Sequence, residues 1–194
     1  MSQTNKRKPG RPRSSESHRA ILGATLELLG EVGFESMSIE AISTRAGVGK
    51  TTIYRRYNSK EELVADAIES IRQDVVIPNT GNFWNDLDEL IENAAQITLT
   101  PLGRQTVAMI ISSASSNSQF AHIYWTKYLQ PRRVAFTVVI ERAKTRKEIK
   151  TDIDSNLVFD SMSGIMLYAL IFPAETETWT DYVRRALHLL LKGN

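Results

Sequence analysis

Cysteine is absent from this 194-residue chain, and its three histidines, His18, His122 and His188, lie far apart in the sequence. A disulfide framework and a thiolate zinc site are therefore excluded, and the histidines lack metal-ligand spacing. No acid–base pair or nucleophile constellation stands out either. We expect no catalytic residue, no bound metal and no cofactor, and the sequence does not favour an enzyme.

Long apolar runs are also missing. No apolar run reaches the roughly 18 residues that a membrane span needs, and no signal-peptide-like stretch follows the charged N-terminus. We expect a soluble cytoplasmic protein with no membrane partner.

Positive charge is concentrated at one end of the chain. Residues 1–60 contain eleven Lys and Arg against five Glu, whereas residues 61–194 contain thirteen Lys and Arg against seventeen Asp and Glu. A basic N-terminal third on a mildly acidic body indicates that the front of the chain meets a polyanion. The alternative is a solvated basic tail without a partner.

Apolar residues recur with helical spacing along the chain, and no confident strand pattern appears. Gly33 is expected to end the first helix. Ser38 is a candidate N-cap for a short second helix, and Ser59 with Glu62 has the spacing of a capping box for a fourth. The sequence predicts an all-α protein with about nine helices.

The second half of the chain carries further helix signals. Thr100 and Pro101 have the residue types of an N-cap and a first helical position. A long helical pattern covers residues 120–146, in which Pro131 is expected to kink or restart the helix.

The stretch AGVGKTTIYRRY, residues 46–57, has two interpretations. A phosphate-binding P-loop needs a glycine five positions before Gly49, but that position holds Thr44, and no strand pattern precedes the loop. A helix-turn-helix fits better, because two short helical patterns flank a glycine-containing turn. A helical hairpin with no DNA-binding role remains the alternative.

The helix after this turn would present a polar face. With Ile53 and Tyr57 placed inward at 100° per residue, Thr51 and Arg55 point outward. Thr52 and Tyr54 would flank them, and Lys50 would lie in the first turn. Hydroxyl, phenol and guanidinium groups can donate hydrogen bonds to base edges and phosphates.

Residues 19–63 closely resemble the TetR family of bacterial transcriptional regulators. The most specific parts are the Gly33-Phe34 pair and the motifs IEAISTRAGV, TIYRRY and SKEEL. The family usually carries serine or a similar residue at the position of Gly49, and often glycine at that of Thr51. The threonine adds a side chain on the DNA-facing side, so base preference does not transfer from relatives.

The resemblance implies a domain order and a set of DNA contacts. Residues 1–14 would form a basic disordered arm, 15–60 a three-helix DNA-binding domain, and 61–194 a helical effector-binding and dimerisation domain entered through the fourth helix. Lys50, Thr51 and Arg55 would lie in the major groove. The expected phosphate contacts are Thr52, Tyr54 and Lys60.

The stretch RKPGRPR, residues 7–13, resembles an AT-hook core. Such an extended, narrow segment can lie in an A·T-rich minor groove with arginines at its floor. We assign Arg7, Arg11 and Arg13 to this contact, with general phosphate attraction as the alternative.

The body from about residue 83 resembles the family's ligand-binding and dimerisation region less specifically. Ser161 to Phe172 is apolar nearly all round, so that helix must be covered on more than one side. The alternative is burial within the protomer. The candidate dimer residues are Ile165, Tyr168, Phe172, Tyr182, Leu187 and Leu190.

The same region would hold an effector pocket by family resemblance. Charged residues are scarce inside its apolar stripes, which favours a small hydrophobic effector. The alternative is that aromatic and methionine side chains at helical spacing form an ordinary protein core. The candidate lining residues are Trp84, Met109, Phe120, Tyr124, Tyr128, Phe159, Met162 and Met166.

The sequence thus favours a homodimeric, sequence-specific repressor that an effector releases from a palindromic DNA operator. The repressor mechanism is implied by the resemblance. The alternative is an architectural protein that binds A·T-rich DNA without an effector.

Overall fold

The computed structural model describes residues 13–72 and 76–192, with the side chains of residues 13 and 14 left out. These residues form nine helices and no strand, which confirms the all-α class. The first five are α1 (Arg13–Ser36), α2 (Ile39–Arg45), α3 (Lys50–Tyr54), α4 (Lys60–Ser70) and α5 (Phe83–Thr98).

The four remaining helices belong to the second half of the chain. Helix α7 is continuous but has three parts, Ser118–Tyr124, a π-helical turn Trp125–Leu129, and Gln130–Thr145. The others are α6 (Pro101–Ser116), α8 (Ser155–Ile171) and α9 (Trp179–Lys192).

The capping residues expected from sequence begin three of the helices. Ser38 Oγ accepts a hydrogen bond from Ala41 N–H at 3.1 Å. Ser59 Oγ accepts one from Glu62 N–H at 3.1 Å, although the Glu62 carboxylate reaches the N–H of Asn58 at 3.0 Å, one residue before the cap. These bonds satisfy N–H groups that have no partner within their own helix.

Helix α6 begins in the same way. Thr100 Oγ1 accepts a hydrogen bond from Gly103 N–H at 2.9 Å, and Pro101 is the first helical residue, where its missing N–H costs nothing. Further along, the π-helical turn of α7 immediately precedes the segment that contains Pro131. The wider turn lies where Pro131 cannot donate an i→i−4 hydrogen bond, so the helix continues past the proline.

The helical backbone of α1 is interrupted at Gly33, which has φ 75° and ψ 171°. A side chain is strained at such a positive φ, so glycine is the residue that fits. The expected end of the first helix at Gly33 therefore corresponds to a kink, after which three residues return to helical conformation before α2.

The described chain divides into two compact units. The first contains the described residues up to Ile71 together with Ile111–Ile123. In it α1 packs against α2 and α4, and Leu63, Val64 and Ala67 of α4 are fully buried. Helix α4, which the sequence analysis assigned to the second domain, thus belongs mainly to the core of the first.

The second unit contains Arg72–Ile110 and the described residues from Tyr124 onward. Its core is one apolar cluster to which α5, α7, α8 and α9 all contribute. Phe83, Ile91, Val139, Ile140, Val183 and Leu187 are fully buried in it.

Candidate nucleic-acid interface

The turn between α2 and α3 is a Schellman motif. Gly47 N–H donates to Thr44 O at 3.2 Å, and Val48 N–H donates to Ser43 O at 3.0 Å. Gly47 has φ 65°, the left-handed conformation that this motif requires. Gly47 therefore closes α2 and turns the chain into α3.

Helix α3 is held by apolar side chains on its inner side. Ile53 is fully buried and Tyr57, just beyond the helix, is 4% exposed, as the sequence predicts. Ile42 of α2 is also fully buried. Because α3 has only five residues, tertiary packing rather than its own hydrogen bonds must fix its direction.

The outer side of α3 is polar and accessible. Thr51 and Arg55 are exposed, and Tyr54 exposes 57% of its surface. Thr52 is half-buried beside them, with its N–H bonded to Gly49 O at 2.8 Å. The face defined by Thr51, Tyr54 and Arg55 is called the α3 polar face below.

Lys50 is exposed, but its ammonium is paired within the protein. Its Nζ lies 2.8 Å from Glu40 Oε1, and this hydrogen bond lowers the pKa of Glu40 and raises the pKa of Lys50. An exposed pair of this kind contributes little to stability, so a DNA phosphate can compete for the lysine. Glu40 was not identified from sequence, because its partner lies ten positions away.

Lys60, expected at a phosphate, has internal partners in the structure. Its Nζ donates to Phe34 O at 2.9 Å and to Met37 O at 3.2 Å, and lies 4.4 Å from the centre of the Phe34 ring. These contacts join the start of α4 to the turn between α1 and α2. An ammonium has three donors, so the phosphate contact stays a prediction.

The basic arm falls almost entirely outside the described residues. Arg7 and Arg11 lie outside the described residues, and so does the side chain of Arg13, the first residue of α1. Their assignment to a minor groove stays a prediction.

Two family descriptions match the chain and together cover most of it. Residues 21–67 match bacterial regulatory proteins of the tetR family, and residues 77–190 match the tetracyclin repressor-like C-terminal domain. The chain belongs to the TetR family. The helix-turn-helix just described is therefore the DNA-binding element of a transcriptional regulator.

Individual relatives agree with this assignment. The HTH-type transcriptional regulator YdeS of Bacillus subtilis is 30% identical over 187 residues, which are 96% of this chain and 93% of YdeS. The DNA-binding transcriptional repressor TetR of Mycobacteroides abscessus is 27% identical over 158 residues, 78% of this chain and 80% of that protein.

The crystal structure of the TetR family transcription regulator SCO0332 has the same fold. It superposes with a TM-score of 0.66 at 25% identity and covers 92% of this chain and 98% of its own. No helix in the two described ranges of this TetR-family protein combines the length and apolarity of a membrane span.

The candidate effector-pocket residues fall into separate groups. Phe120 is fully buried in the first unit, 5.5 Å from the Phe34 ring. In the second unit, Tyr124 is buried with its ring 5.4 Å from Tyr128, and its hydroxyl lies 2.9 Å from Arg72 Nη1. Met109 of α6 is half-buried, and no contact places it near the others.

The other four candidates lie in or against the apolar core of the second unit. Met162 is buried in it. Phe159 packs on Phe136 at 5.7 Å, and Met166 O accepts a hydrogen bond from the Trp179 indole at 3.2 Å. Trp84 stacks on His188 at 4.1 Å.

The candidate dimer residues differ widely in exposure. Tyr168, Phe172 and Leu190 expose 55%, 62% and 49% of their surface, whereas Leu187 is fully buried in its own protomer's core. Ile165 and Tyr182 are half-buried. The structure adds exposed apolar residues that the sequence analysis did not identify, namely Leu157, Ile171 and Leu189. The α8–α9 apolar surface, as the name is used below, consists of the exposed apolar residues Leu157, Tyr168, Ile171, Phe172, Leu189 and Leu190.

Proposed function

We propose that the protein is a homodimeric transcriptional repressor of the bacterial cytoplasm that leaves its DNA operator when a small hydrophobic effector binds its body. The observation that carries this proposal is the α3 polar face, which projects a guanidinium, a phenol and a hydroxyl from a helix anchored by Ile53 and Tyr57. Such a helix supplies the donors that base edges and phosphates accept in a major groove.

The residues of the α3 polar face, and the neighbouring Lys50 and Thr52, have distinct proposed roles. Arg55 donates two N–H groups to O6 and N7 of a guanine, and Thr51 contacts the neighbouring base. Tyr54 and Thr52 donate to phosphates on either side of the helix. Lys50 leaves Glu40 when DNA is bound and lies in the major groove.

The dimer follows from the α8–α9 apolar surface. Large apolar side chains such as Tyr168 of α8 and Leu190 of α9 are exposed, the two helices pack against each other, and exposed apolar patches mark interaction sites. A two-fold axis through this surface would bury the apolar side chains of both protomers against each other. The dimer would then present two α3 helices to one DNA molecule. Such symmetry matches a palindromic operator.

The effector response is proposed to pass through Tyr124. Its hydroxyl accepts a hydrogen bond from Arg72, which lies two residues beyond the end of α4. A ligand that binds beside Tyr124 and displaces this bond would release Arg72, which follows α4 in the chain. A bound ligand then favours the conformer with lower DNA affinity.

An in vitro transcription assay tests repression directly. The template carries an operator, obtained by selection from random DNA, that overlaps the promoter. A repressor lowers transcript yield at concentrations that occupy the operator, and a hydrophobic effector restores it. Increased yield on the same template would identify an activator. Unchanged yield at full operator occupancy would contradict repression.

The basic arm is proposed to lie along the minor groove next to each α3. Deleting residues 1–12 leaves α1 intact and removes Lys6, Arg7, Lys8 and Arg11 from each protomer. If two phosphate contacts per protomer are lost, the slope of log K against log salt flattens by roughly 3.6. A full slope after the deletion would show that the arm makes no phosphate contact.

A further inference from the structure

An open groove of about 580 Å³ lies in the second unit, along the second half of α7. The segment between α4 and α5 contributes one residue to its wall, and α7 contributes the others. The lining residues are Asn79, Thr137, Val138, Glu141, Arg142, Thr145 and Arg146.

This groove is separate from the candidate effector residues of the core. Phe136, Val139, Ile140 and Ala143 of the same α7 turns point into the apolar cluster and are at most 2% exposed. The groove is lined by the alternate positions, which lie on the other side of the helix. None of its seven lining residues belongs to the set expected to bind a hydrophobic effector.

Two charges in the groove are already balanced by the protein. Glu141 Oε1 lies 2.8 Å from Lys144 Nζ and accepts a hydrogen bond from Ser155 Oγ at 2.6 Å, and these bonds lower the pKa of Glu141. Arg146 Nε donates to Glu148 Oε2 at 2.9 Å, and its Nη2 lies 3.6 Å from the buried Asp86. Both groups therefore already have partners of opposite charge within the protein.

Arg142 is different. Within the described ranges its half-buried guanidinium has no ion pair, and its enclosed Nη1 makes no hydrogen bond. An enclosed polar nitrogen without an acceptor costs roughly 1–3 kcal/mol, so folds rarely leave one unsatisfied without a reason. Among the described residues, the fold thus provides no acceptor for this guanidinium at the groove.

The other groove side chains complete a site of definite polarity. The hydroxyls of Thr137 and Thr145 donate to Arg133 O and Glu141 O, so they present methyl groups and leave no donor. The exposed amide of Asn79 forms no hydrogen bond with any described residue, and Val138 is 44% exposed. As far as residues 13–72 and 76–192 go, the groove therefore combines one cation without an ion pair, one amide donor and an apolar wall.

We propose that this groove binds a small organic monoanion through its carboxylate. The carboxylate oxygens accept from the N–H groups of the Arg142 guanidinium other than the enclosed Nη1, and from the Asn79 amide. The apolar part of the ligand packs on Val138 and the threonine methyl groups. A single unbalanced cation favours one negative charge over two.

Benzoate is a suitable probe, with neutral benzamide as its isosteric control. In ¹H–¹⁵N correlation spectra of the full-length protein, benzoate should shift the Asn79 side-chain amide and the Arg142 Nε–H signals saturably. Arg142→Gln should weaken the effect at Asn79 about ten- to hundred-fold, because one charge-assisted hydrogen bond is lost. Lys150→Gln removes the same charge from an exposed position outside the groove and should change affinity less than twofold.

Val138→Glu provides a second test that leaves Arg142 in place. A carboxylate at this exposed position should repel benzoate and reduce the Asn79 shift to the level seen with benzamide. Unchanged benzoate affinity in Arg142→Gln, or equal shifts from benzamide, would overturn the proposal. Operator binding by the same variants is expected to be retained, so failure here is distinguishable from failure of the DNA-binding proposal.

Discussion

The α3 polar face and the α8–α9 apolar surface are both exposed, but their chemistry is opposite. The first presents Thr51, Tyr54 and Arg55, whose groups donate hydrogen bonds. The second presents side chains such as Phe172 and Leu190, which can offer only apolar contact. A polar, cationic face suits the grooves of DNA, whereas an apolar surface suits the same surface of a second protomer.

The two surfaces also differ in how the fold supports them. Helix α3 is five residues long and depends on Ile53 and Tyr57 for its position. Helices α8 and α9 are longer and share a core through Met162 and Leu187. Changes under α3 should therefore affect DNA recognition locally, while changes on α8 or α9 should affect assembly without loss of the protomer fold.

The largest expected effect is on assembly. Phe172→Asp should weaken the dimer by about 3–6 kcal/mol, because a two-fold interface loses two buried aromatic side chains. Sedimentation equilibrium measures this loss. Val134→Asp is the matched control, since Val134 on α7 is also 62% exposed but lies outside the α8–α9 apolar surface. If both variants weaken the dimer equally, the α8–α9 apolar surface is not the dimer interface.

The next largest effect is expected when the internal hydrogen bonds of Lys60 in the DNA-binding domain are removed. Lys60→Met keeps the apolar stem but removes the bonds to Phe34 O and Met37 O, so the free energy of unfolding should fall by about 1.5–3 kcal/mol. Urea denaturation measures the change. Lys50→Met, which removes an exposed ion pair, should leave stability nearly unchanged.

The same two lysine variants separate folding from DNA contact. If Lys60 also binds a phosphate through its third donor, its removal lowers the salt slope by about 0.9 per protomer. An unchanged free energy of unfolding in Lys60→Met would contradict a stabilising role for these hydrogen bonds.

Arg55→Ala tests base reading on the α3 polar face. If the guanidinium donates two N–H groups to one guanine, discrimination at that base pair should fall by about 1–3 kcal/mol with little change in salt slope. Salt titrations on operator and scrambled DNA measure both quantities. An equal loss of affinity on the two DNAs would instead make Arg55 a phosphate contact.

Tyr54→Phe should have a smaller effect on the same face. Loss of one hydrogen bond to DNA is worth about 0.5–1.5 kcal/mol, or up to about 3 if the acceptor is a charged phosphate. Protein stability should not change, because the side chain is 57% exposed. Unchanged operator affinity at fixed salt would take Tyr54 out of the interface.

Tyr57→Phe makes the same chemical change on the inner side of α3 and should act oppositely. Within the described part of the chain the buried Tyr57 hydroxyl has no hydrogen-bond partner, so its removal should leave stability unchanged or raise it by up to about 1 kcal/mol. Operator affinity should be retained. A loss of stability would reveal a partner for this hydroxyl.

The stability of the protein at alkaline pH provides a second comparison between Tyr57→Phe and the unchanged protein. Burial raises the pKa of Tyr57 to about 12, so the folded state holds this proton more tightly than the unfolded state, where the pKa is near 10. The associated stability is complete below pH 10 and is lost as the pH rises toward 12. Tyr57→Phe should show less alkaline destabilisation than the unchanged protein.

The sequence was sufficient where the relevant contacts are local. The caps at Ser38 and Ser59 follow from hydrogen bonds to the third residue after each, and the inward position of Ile53 follows from helical periodicity. Lys60 is different, because its acceptors lie 26 and 23 residues away and only the fold brings them together.

Helical periodicity also does not show which apolar residues of α9 are buried and which are exposed. Leu187 and Leu190 are three positions apart and belong to one stripe, yet the first is fully buried and the second is 49% exposed. Which edge of a stripe remains uncovered depends on the neighbouring helices. For the same reason the groove beside Arg142 had no sequence signal, since an arginine on a helix gives no sign of whether the fold supplies it with a partner.

The central claim is that two α3 polar faces, joined through the α8–α9 apolar surface, read one operator. A nuclease footprint of the full-length protein on DNA selected from a random pool tests it most directly. The account predicts one protected palindrome whose half-sites are about one helical turn apart, with protection lost in Phe172→Asp at concentrations where the unchanged protein is bound. Broad protection of A·T-rich DNA without a palindrome, kept in Phe172→Asp, would contradict it and indicate an architectural DNA-binding protein.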